Sequence, residues 1–462
     1  MQRKKLFVLI PDGVGLRNFA YTQFPELVEN AGWELVYWNA TDFDLKKMNF
    51  QEIKLQAQAR AWTDLLKRAK IISELNHFRQ KFNNPVYEKY KFPAAGNGLK
   101  KKLKNAIVAG LVSKYKGEKG LQKLREKMQE SERKSSSYQT CKAILQKEKP
   151  DVVLCTSQRP VNAIAPVLAA KDLGIPTSCF IFSWDNLPKA TKVIETDFYF
   201  VWSEYMKAEL QKYYPYIASS QVKITGTPQF EIHHNKEVVI SRDEFFRKYG
   251  LDPDKSYLCF SGDDVTTSPH DEYFLNDVAK AVKELNEKGQ NIEIIFRRCP
   301  VDFSGRYNAF LEKYKNIITS IDPDWIGNGD SWNQAMPEKT DLILQTNIVE
   351  HTFMVINVAS SMVFDFAAKD KPCAYLNYQL NLDNQKKDIR EIYHYVHFES
   401  MPEGDAVLWI NEKEDIKKVI LQALKGSNQE VLERTKNWFN SINENSGPTA
   451  SQRIMNQLKS LG

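Results

Sequence analysis

The sequence predicts an α/β protein built from two doubly wound, Rossmann-like domains. Three observations carry this. Short strands that are apolar throughout alternate with amphipathic helices, the pattern of parallel sheets covered on both faces. The alternation occurs twice, on either side of a connector that follows Gly226-Thr227-Pro228. The chain has 462 residues, more than one compact core usually holds.

The elements follow in order. LFVLIP is a strand, DGVGLRN a loop, FAYTQFPELVENAG an amphipathic helix closed by Gly32, and WELVYWNA the next strand. Between 49 and 147 strand signals disappear, and a Lys-, Gln-, Glu- and Leu-rich stretch with helical spacing reads as a helical insertion. It contains KYKFPAAGNGLKKKLKNAIVAGLVSKYKG, an apolar centre with basic flanks. Alternation resumes at Pro150 with the strands DVVLCTS, PTSCFIFS, DFYFVWS and VKITG and the helices NAIAPVLAAKDLG and EYMKAELQKYY. After the connector come SYLCFSG, a helix over 271–288, IEIIFR, a helix over 306–314, and NIITSI. MVINVA, Met354 to Ala359, runs into Ser360-Ser361, the helix-like MVFDFAAKD and the strand CAYLNY. The last helix, ASQRIMNQLKSL, is set apart by Gly447-Pro448. The expected domains are 1–235 with the insertion, 236–440, and a separate helix within 441–462.

Composition excludes several classes. No apolar run reaches the ~18–20 residues that span a bilayer. The run from Leu6 to Pro11 is short and breaks at Asp12-Gly13, so it reads as a first strand rather than a signal peptide. Four of the six cysteines (Cys155, Cys179, Cys259, Cys373) lie in apolar runs and none forms a close CxxC pair, which predicts buried reduced thiols and no zinc site. The net charge of +6 is uneven: Lys100 to Lys127 holds ten Lys/Arg against two acids. That segment reads either as a solvated helical face or as a surface for anionic lipid headgroups. Without a nucleic-acid motif, nucleic acid is not an expected partner.

In doubly wound sheets ligands bind beyond the carboxyl ends of the strands, so the candidate residues lie in the loops there. After the first strand, Asp12 is placed to accept a proton, with Arg17 and Asn18 beside it; an Asp in an ordinary turn is the alternative. Ser157 lies in the polar loop TSQRP, which also reads as a simple cap. Trp184-Asp185-Asn186 joins a ring to hydrogen-bonding groups, as sugar sites do, and equally describes an Asx-type turn on a packed Trp. Arg297-Arg298 ends a strand where guanidinium groups can fork onto phosphate, or sit in surface salt bridges. Ser261-Gly262 ends a neighbouring strand. Ser360-Ser361 opens a helix, where free N–H groups and the dipole favour an anion; plain capping is the alternative. Asp365, one turn on, can take sugar hydroxyls or be solvated. His233-His234 reads as a polar linker; His397 lines a cleft or packs on the sheet.

Together these stretches, above all SWDNLPK, VWSEYMKAEL and ITGTPQFE, resemble GT-B glycosyltransferases. The likeness is to bacterial enzymes of surface-polysaccharide synthesis and to the CDP-glycerol glycerophosphotransferase-like group. It covers about 150–380 well, 1–48 by architecture and 49–147 hardly at all. It implies two Rossmann-like domains facing across a cleft, with the nucleotide-activated sugar held by the second and a glycan or lipid-linked acceptor by the first. Ser360, Ser361, Arg297 and Arg298 would hold the diphosphate, with Asp365, Ser261 and Gly262 on the donor side. Asp12 would be the base of an inverting reaction. Arg17, Asn18, Ser157, Trp184, Asp185, Asn186 and His397 would face the acceptor.

Such enzymes are usually metal-independent and need no cofactor beyond the donor substrate; Asp322-Pro323-Asp324 has the DxD pattern but reads as a turn because of its central proline. The last helix resembles one that crosses back to the first domain. Cys299 departs from the family, where a histidine is common. The expected function is glycosyl transfer in the cytoplasm, with peripheral contact to the inner membrane face through Lys100–Lys127. A CDP-alcohol phosphotransferase, a nucleotide-sugar epimerase and a non-catalytic sugar-binding protein remain as alternatives.

Overall fold

A computed structural model of the chain describes residues 3–56, 58–91, 98–302, 304–327, 335–382 and 388–462. The chain divides into two compact units, Met1–Thr227 with Ile442–Gly462, and Pro228–Ser441. The division falls inside the GTPQF turn, not at 235. Within the stretch KYKFPAAGNGLKKKLKNAIVAGLVSKYKG, residues 92–97 lie outside the described residues.

The first unit is built on seven parallel strands: β1 (Lys5–Ile10), β2 (Glu34–Asn39), β3 (Glu52–Lys54), β4 (Val152–Cys155), β5 (Thr177–Phe180), β6 (Phe198–Val201) and β7 (Val222–Ile224). Their order is β3-β2-β1-β4-β5-β6-β7. Leu6 to Ile10 and Val152 to Cys155 have no exposed surface, so both faces of the central strands are covered. Helices α1 (Gly15–Phe19), α2 (Phe24–Asn30), α3 (Ala61–Lys81), α4 (Leu99–Lys114), α5 (Gly117–Arg133), α6 (Ser136–Glu148), α7 (Ile164–Asp172) and α8 (Glu204–Tyr213) complete this part of the chain.

Two sequence expectations are corrected here. The helix read over FAYTQFPELVENAG is two helices, and the first begins earlier, inside the supposed loop. Pro25 explains the break: it lacks an N–H and fits only the first turn of α2, whose Phe24 N–H is taken by Thr22 Oγ1. The insertion was expected to hold no strand, yet β3 pairs with β2 at the sheet edge. Its Glu52 turns a buried carboxylate onto Asn39 Nδ2 (2.8 Å) and the Leu45 N–H (3.2 Å), and so fixes a strand too short to show a period.

The second unit begins with α9 (Arg242–Tyr249), capped by Ser241 and ended by Gly250 at φ 65°. Its strands are β8 (Ser256–Ser261), β9 (Ile292–Arg297), β10 (Ile318–Ser320), β11 (Trp325–Gly327), β12 (Ala335–Pro337), β13 (Val355–Asn357), β14 (Cys373–Leu376) and β15 (Leu408–Ile410). Six form a parallel sheet, β10-β9-β8-β13-β14-β15, while β11 and β12 make a separate antiparallel pair. The helices are α10 (Asp271–Asn286), α11 (Asn308–Lys313), α12 (Lys339–His351), α13 (Met362–Ala367), α14 (Asp415–Leu424) and α15 (Gln429–Ile442). The last helix, α16 (Ala450–Leu461), belongs to the first unit and packs on α2. All six cysteines are free and buried. Among the described residues no helix is long and apolar enough to cross a membrane.

Candidate functional site

Each parallel sheet has one point where strand order reverses. In the first unit it lies between β1 and β4, in the second between β8 and β13. Loops leaving neighbouring strands there diverge to opposite faces and open a crevice, so these are the places to look for ligands.

At the first switch point the chain leaves β1 through Asp12 and enters α1. Gly15 is required there, because a Cβ would collide with Thr156 Oγ1, which itself donates to the Leu9 carbonyl (3.0 Å). Asn162 Nδ2 donates to the Pro11 carbonyl (3.2 Å). These bonds hold the ends of β1 and β4 together around Asp12. Its side chain is buried, and Oδ1 has no hydrogen-bond partner among the described residues. Burial raises its pKa above the ordinary value; the Arg159 charge and the Gly15 and Val14 N–H groups oppose that rise without cancelling it.

Asn18 is buried one turn away with its Oδ1 also unpartnered among the described residues, and Arg17 is half-buried beside it. Both stand on a short helix rather than in a loop. Ser157 is buried, and its Oγ accepts the Arg159 N–H at 3.5 Å.

The loop after β5 is bound into itself. Asp185 accepts from Ser183 Oγ (2.6 Å) and Asn186 Nδ2 (2.7 Å) and pairs with Lys189. Asn186 Oδ1 accepts from Gln158 Nε2 (3.2 Å), which ties this loop to the one after β4. Trp184 is buried. The reading of Trp184-Asp185-Asn186 as an open sugar platform is therefore corrected: the ring is packed and the polar groups hold one another.

At the second switch point the strand run ends early, at Asn357, and Ala359 adopts φ 57°, a left-handed conformation that an alanine takes only under constraint. Asn357 Oδ1 accepts the Ser360 N–H (3.0 Å), and Tyr375 Oη donates to the Ser360 carbonyl (3.1 Å). The serines divide the work. Ser360 Oγ takes the Met362 N–H (3.3 Å), the ordinary cap. Ser361 is exposed and its side chain makes no capping bond.

On the other side of β8, Arg297 is buried, and its Nη2 lies 2.8 and 2.9 Å from the two Asp341 oxygens. Asp341 also takes Trp325 Nε1 (2.6 Å) and the Asp324 N–H (2.9 Å). The expectation of a guanidinium fork free for phosphate is corrected for Arg297: Nη2 is committed, and Nη1 is left buried without a partner among the described residues. Arg298 donates from Nε to the exposed Asp322 (2.8 Å), a surface salt bridge. Ser261 is buried, and Gly262 is small because a Cβ there would lie 2.9 Å from Tyr307 Oη.

Asp365 does not point to solvent. Its Oδ1 lies 2.7 Å from His233 Nε2, with both side chains buried, so two expectations change: Asp365 is a packed partner, and His233 is no polar linker. His397 is buried and lies against Phe398, with ring centroids 4.5 Å apart.

A further acidic group stands beyond β8. Tyr307 Oη and the Asp263 N–H both donate to Asp271 Oδ2 (2.8 and 3.1 Å). Burial pushes Asp271 up to about 6 against the pull of Arg306. Asp263 rises well above the ordinary carboxylate range through burial and the charges of Asp264 and Asp271. Asp263 directly follows Ser261-Gly262 in the chain, whereas Asp271, Arg306 and Tyr307 join it only through the fold.

No protein-family model matches the chain, and no curated protein matches it. Solved structures do. A candidate UDP-N-acetylglucosamine 2-epimerase from Listeria monocytogenes is similar over 99% of this chain and 96% of its own, at 12% identity and TM-score 0.57. S. aureus MnaA, solved with UDP, is similar over 99% and 96%, at 12% identity and TM-score 0.52. A glycosyltransferase from Rickettsia africae is similar over 100% and 98%, at 10% identity and TM-score 0.51. The fold is that of GT-B proteins: two Rossmann-like units, each with its own parallel sheet.

Proposed function

We propose that this protein is an enzyme acting on a nucleotide-activated sugar, taken as substrate and with no separate cofactor. The observation that carries the reading is Asp12: a buried carboxylate with an unpartnered oxygen, at the switch point of the first sheet of a GT-B fold. Its raised pKa makes it a better base than an exposed aspartate, because its ionised form is held less firmly. On the nucleotide side, the exposed Ser361 hydroxyl, which makes no capping bond, is a donor suited to the charge that develops on a leaving diphosphate. The likeness to a protein solved with UDP supports a nucleotide in that role.

Two chemistries fit the class. Epimerisation is supported by the Listeria protein, which has the highest TM-score of the three structures described above. Glycosyl transfer is supported by an observation on this chain: among the described residues, Asp12 is the carboxylate with an unpartnered buried oxygen at the switch point between β1 and β4. One base suffices to activate an acceptor hydroxyl, whereas inverting a sugar carbon removes a proton from one face and returns it to the other.

Incubation of the purified protein with UDP-, GDP-, CMP- and dTDP-sugars and with CDP-glycerol, followed by NMR, separates the outcomes. A new isomer of the intact nucleotide sugar, without acceptor, establishes epimerisation. Nucleotide release that requires a glycan or lipid-phosphate acceptor establishes transfer. If no member of the panel is bound or turned over, the proposal is overturned.

A further inference from the structure

A helix on a soluble unit normally turns its leucines inward. α4 does the reverse. Of its residues Val108 alone is buried. Leu99, Leu103, Ala106 and Gly110 recur at i, i+4, i+7 and i+11, which places them on one stripe, and all four are exposed, Leu99 by 86% and Leu103 by 65%. The opposite stripe, Ile107, Val108, Leu111 and Val112, is the more covered one. It faces the first unit, where α4 packs on α3 and Arg68 Nη2 of α3 donates to Asn105 Oδ1 (2.9 Å).

Lysines border the outward stripe, Lys102 on one side and Lys114 on the other; Lys100, Lys101 and Lys104 stand around the rest of the helix, and α4 carries no acid at all. Beside α4 lies a cavity of about 510 Å3 whose wall includes Arg60, Lys114, Lys127, Lys134, Trp62 and Tyr115, with Glu130 as its acid. Trp62 is 44% exposed.

We infer that α4, with this cavity, docks the first unit onto a bilayer surface rich in anionic phospholipid. Both parts of the surface are matched to that partner. The Leu99–Leu103 stripe and Trp62 supply apolar groups that enter the boundary between headgroups and acyl chains. The bordering lysines supply charge at the depth of the lipid phosphates, with long stems that reach outward while the helix lies flat. A polyanion such as nucleic acid would use the lysines but leave the leucines in water, which is why the bilayer is the better fit. The inference stands on this surface alone and does not depend on the nucleotide-sugar reading.

The test is flotation of the full chain with vesicles of phosphatidylcholine alone and of its equal mixture with phosphatidylglycerol. Binding is expected to the mixed vesicles only, and to weaken as salt is raised. Leu99→Ser with Leu103→Ser should reduce it by roughly tenfold. Lys100→Glu, Lys102→Glu and Lys104→Glu together should reduce it by roughly a hundredfold or more. The changed side chains are exposed, and an unaltered melting temperature shows that the variants fold. Absence of binding to the mixed vesicles overturns the inference, as does undiminished binding by the leucine variant. Salt-sensitive binding of an RNA oligonucleotide without vesicle binding also overturns it and reassigns the face to nucleic acid.

Discussion

An aspartate in water ionises near its ordinary pKa, but Asp12 has lost most of that water. Its pKa is raised by burial, and Arg159 is the main force pulling it back. If Asp12 takes a proton from the substrate, only its ionised form works. Turnover should then fall as pH drops through the raised pKa, in a range more alkaline than for an exposed aspartate. Arg159→Met removes the charge that favours ionisation and should shift this acid limb to still higher pH. Asp12→Asn should lower kcat by roughly 10²–10⁴ while nucleotide binding persists, since Ser361, the anion donor proposed above, stands in the other unit. A pH profile of kcat beside a nucleotide titration checks all three. Full activity of the Asn variant removes Asp12 as the base.

At the scale of elements, a buried ionic cluster joins the helical insertion to the loop between β5 and β6. Lys70 and Glu74, one turn apart on α3, pair at 2.8 Å with almost no exposed surface. Lys70 also donates to the carbonyl of Lys192, itself paired with Glu195 at 2.7 Å. Removing one partner leaves a charge in low dielectric, which is worse than removing both. Glu74→Ala should therefore destabilise the protein by about 3–5 kcal/mol, and Lys70→Met with Glu74→Leu by clearly less; urea unfolding curves measure the difference.

This cluster also shows the limit of what a sequence displays. Strands β1, β4 and β8 were legible because they are buried on both faces and so carry unbroken apolar runs, and β9 because Glu293 alone interrupts its apolar run. The pair β11–β12 was not, since three-residue strands show no period. Ser360-Ser361 stood out through its place between strand and helix, but which serine does the capping depends on the left-handed Ala359. The partnerships of Arg297 with Asp341, Asp365 with His233 and Lys70 with Lys192 join residues distant in the chain, and no local pattern announces them.

At the scale of the whole molecule, the chain leaves its first unit at Thr227 and returns to it at Ile442. The return is built into the last strand's exit. Gly226, at φ 71°, would press a Cβ to within 2.6 Å of Arg453 Nη2, while Arg453 Nε holds the Thr225 carbonyl (2.8 Å) and Asn443 Oδ1 takes the Thr227 N–H (2.9 Å). α16 then buries Ile454, Met455 and Leu458, and Lys4 Nζ reaches the Gly462 carbonyl (2.7 Å). Three such side chains contribute about 1.5–3 kcal/mol each by burial, so deletion of 450–462 should destabilise the first unit by several kcal/mol, on the order of 5. The second unit, continuous from Pro228 to Ser441, keeps its own sheet and Ser361, the anion donor proposed above. In the truncated chain one part of the unfolding signal should therefore move to lower temperature, while a saturating nucleotide still raises the melting of the other part, by RT ln(1 + [L]/Kd) in free energy. Calorimetry with and without nucleotide reads both. Loss of the nucleotide response together with the first unit's stability would show that the second unit does not hold the nucleotide by itself.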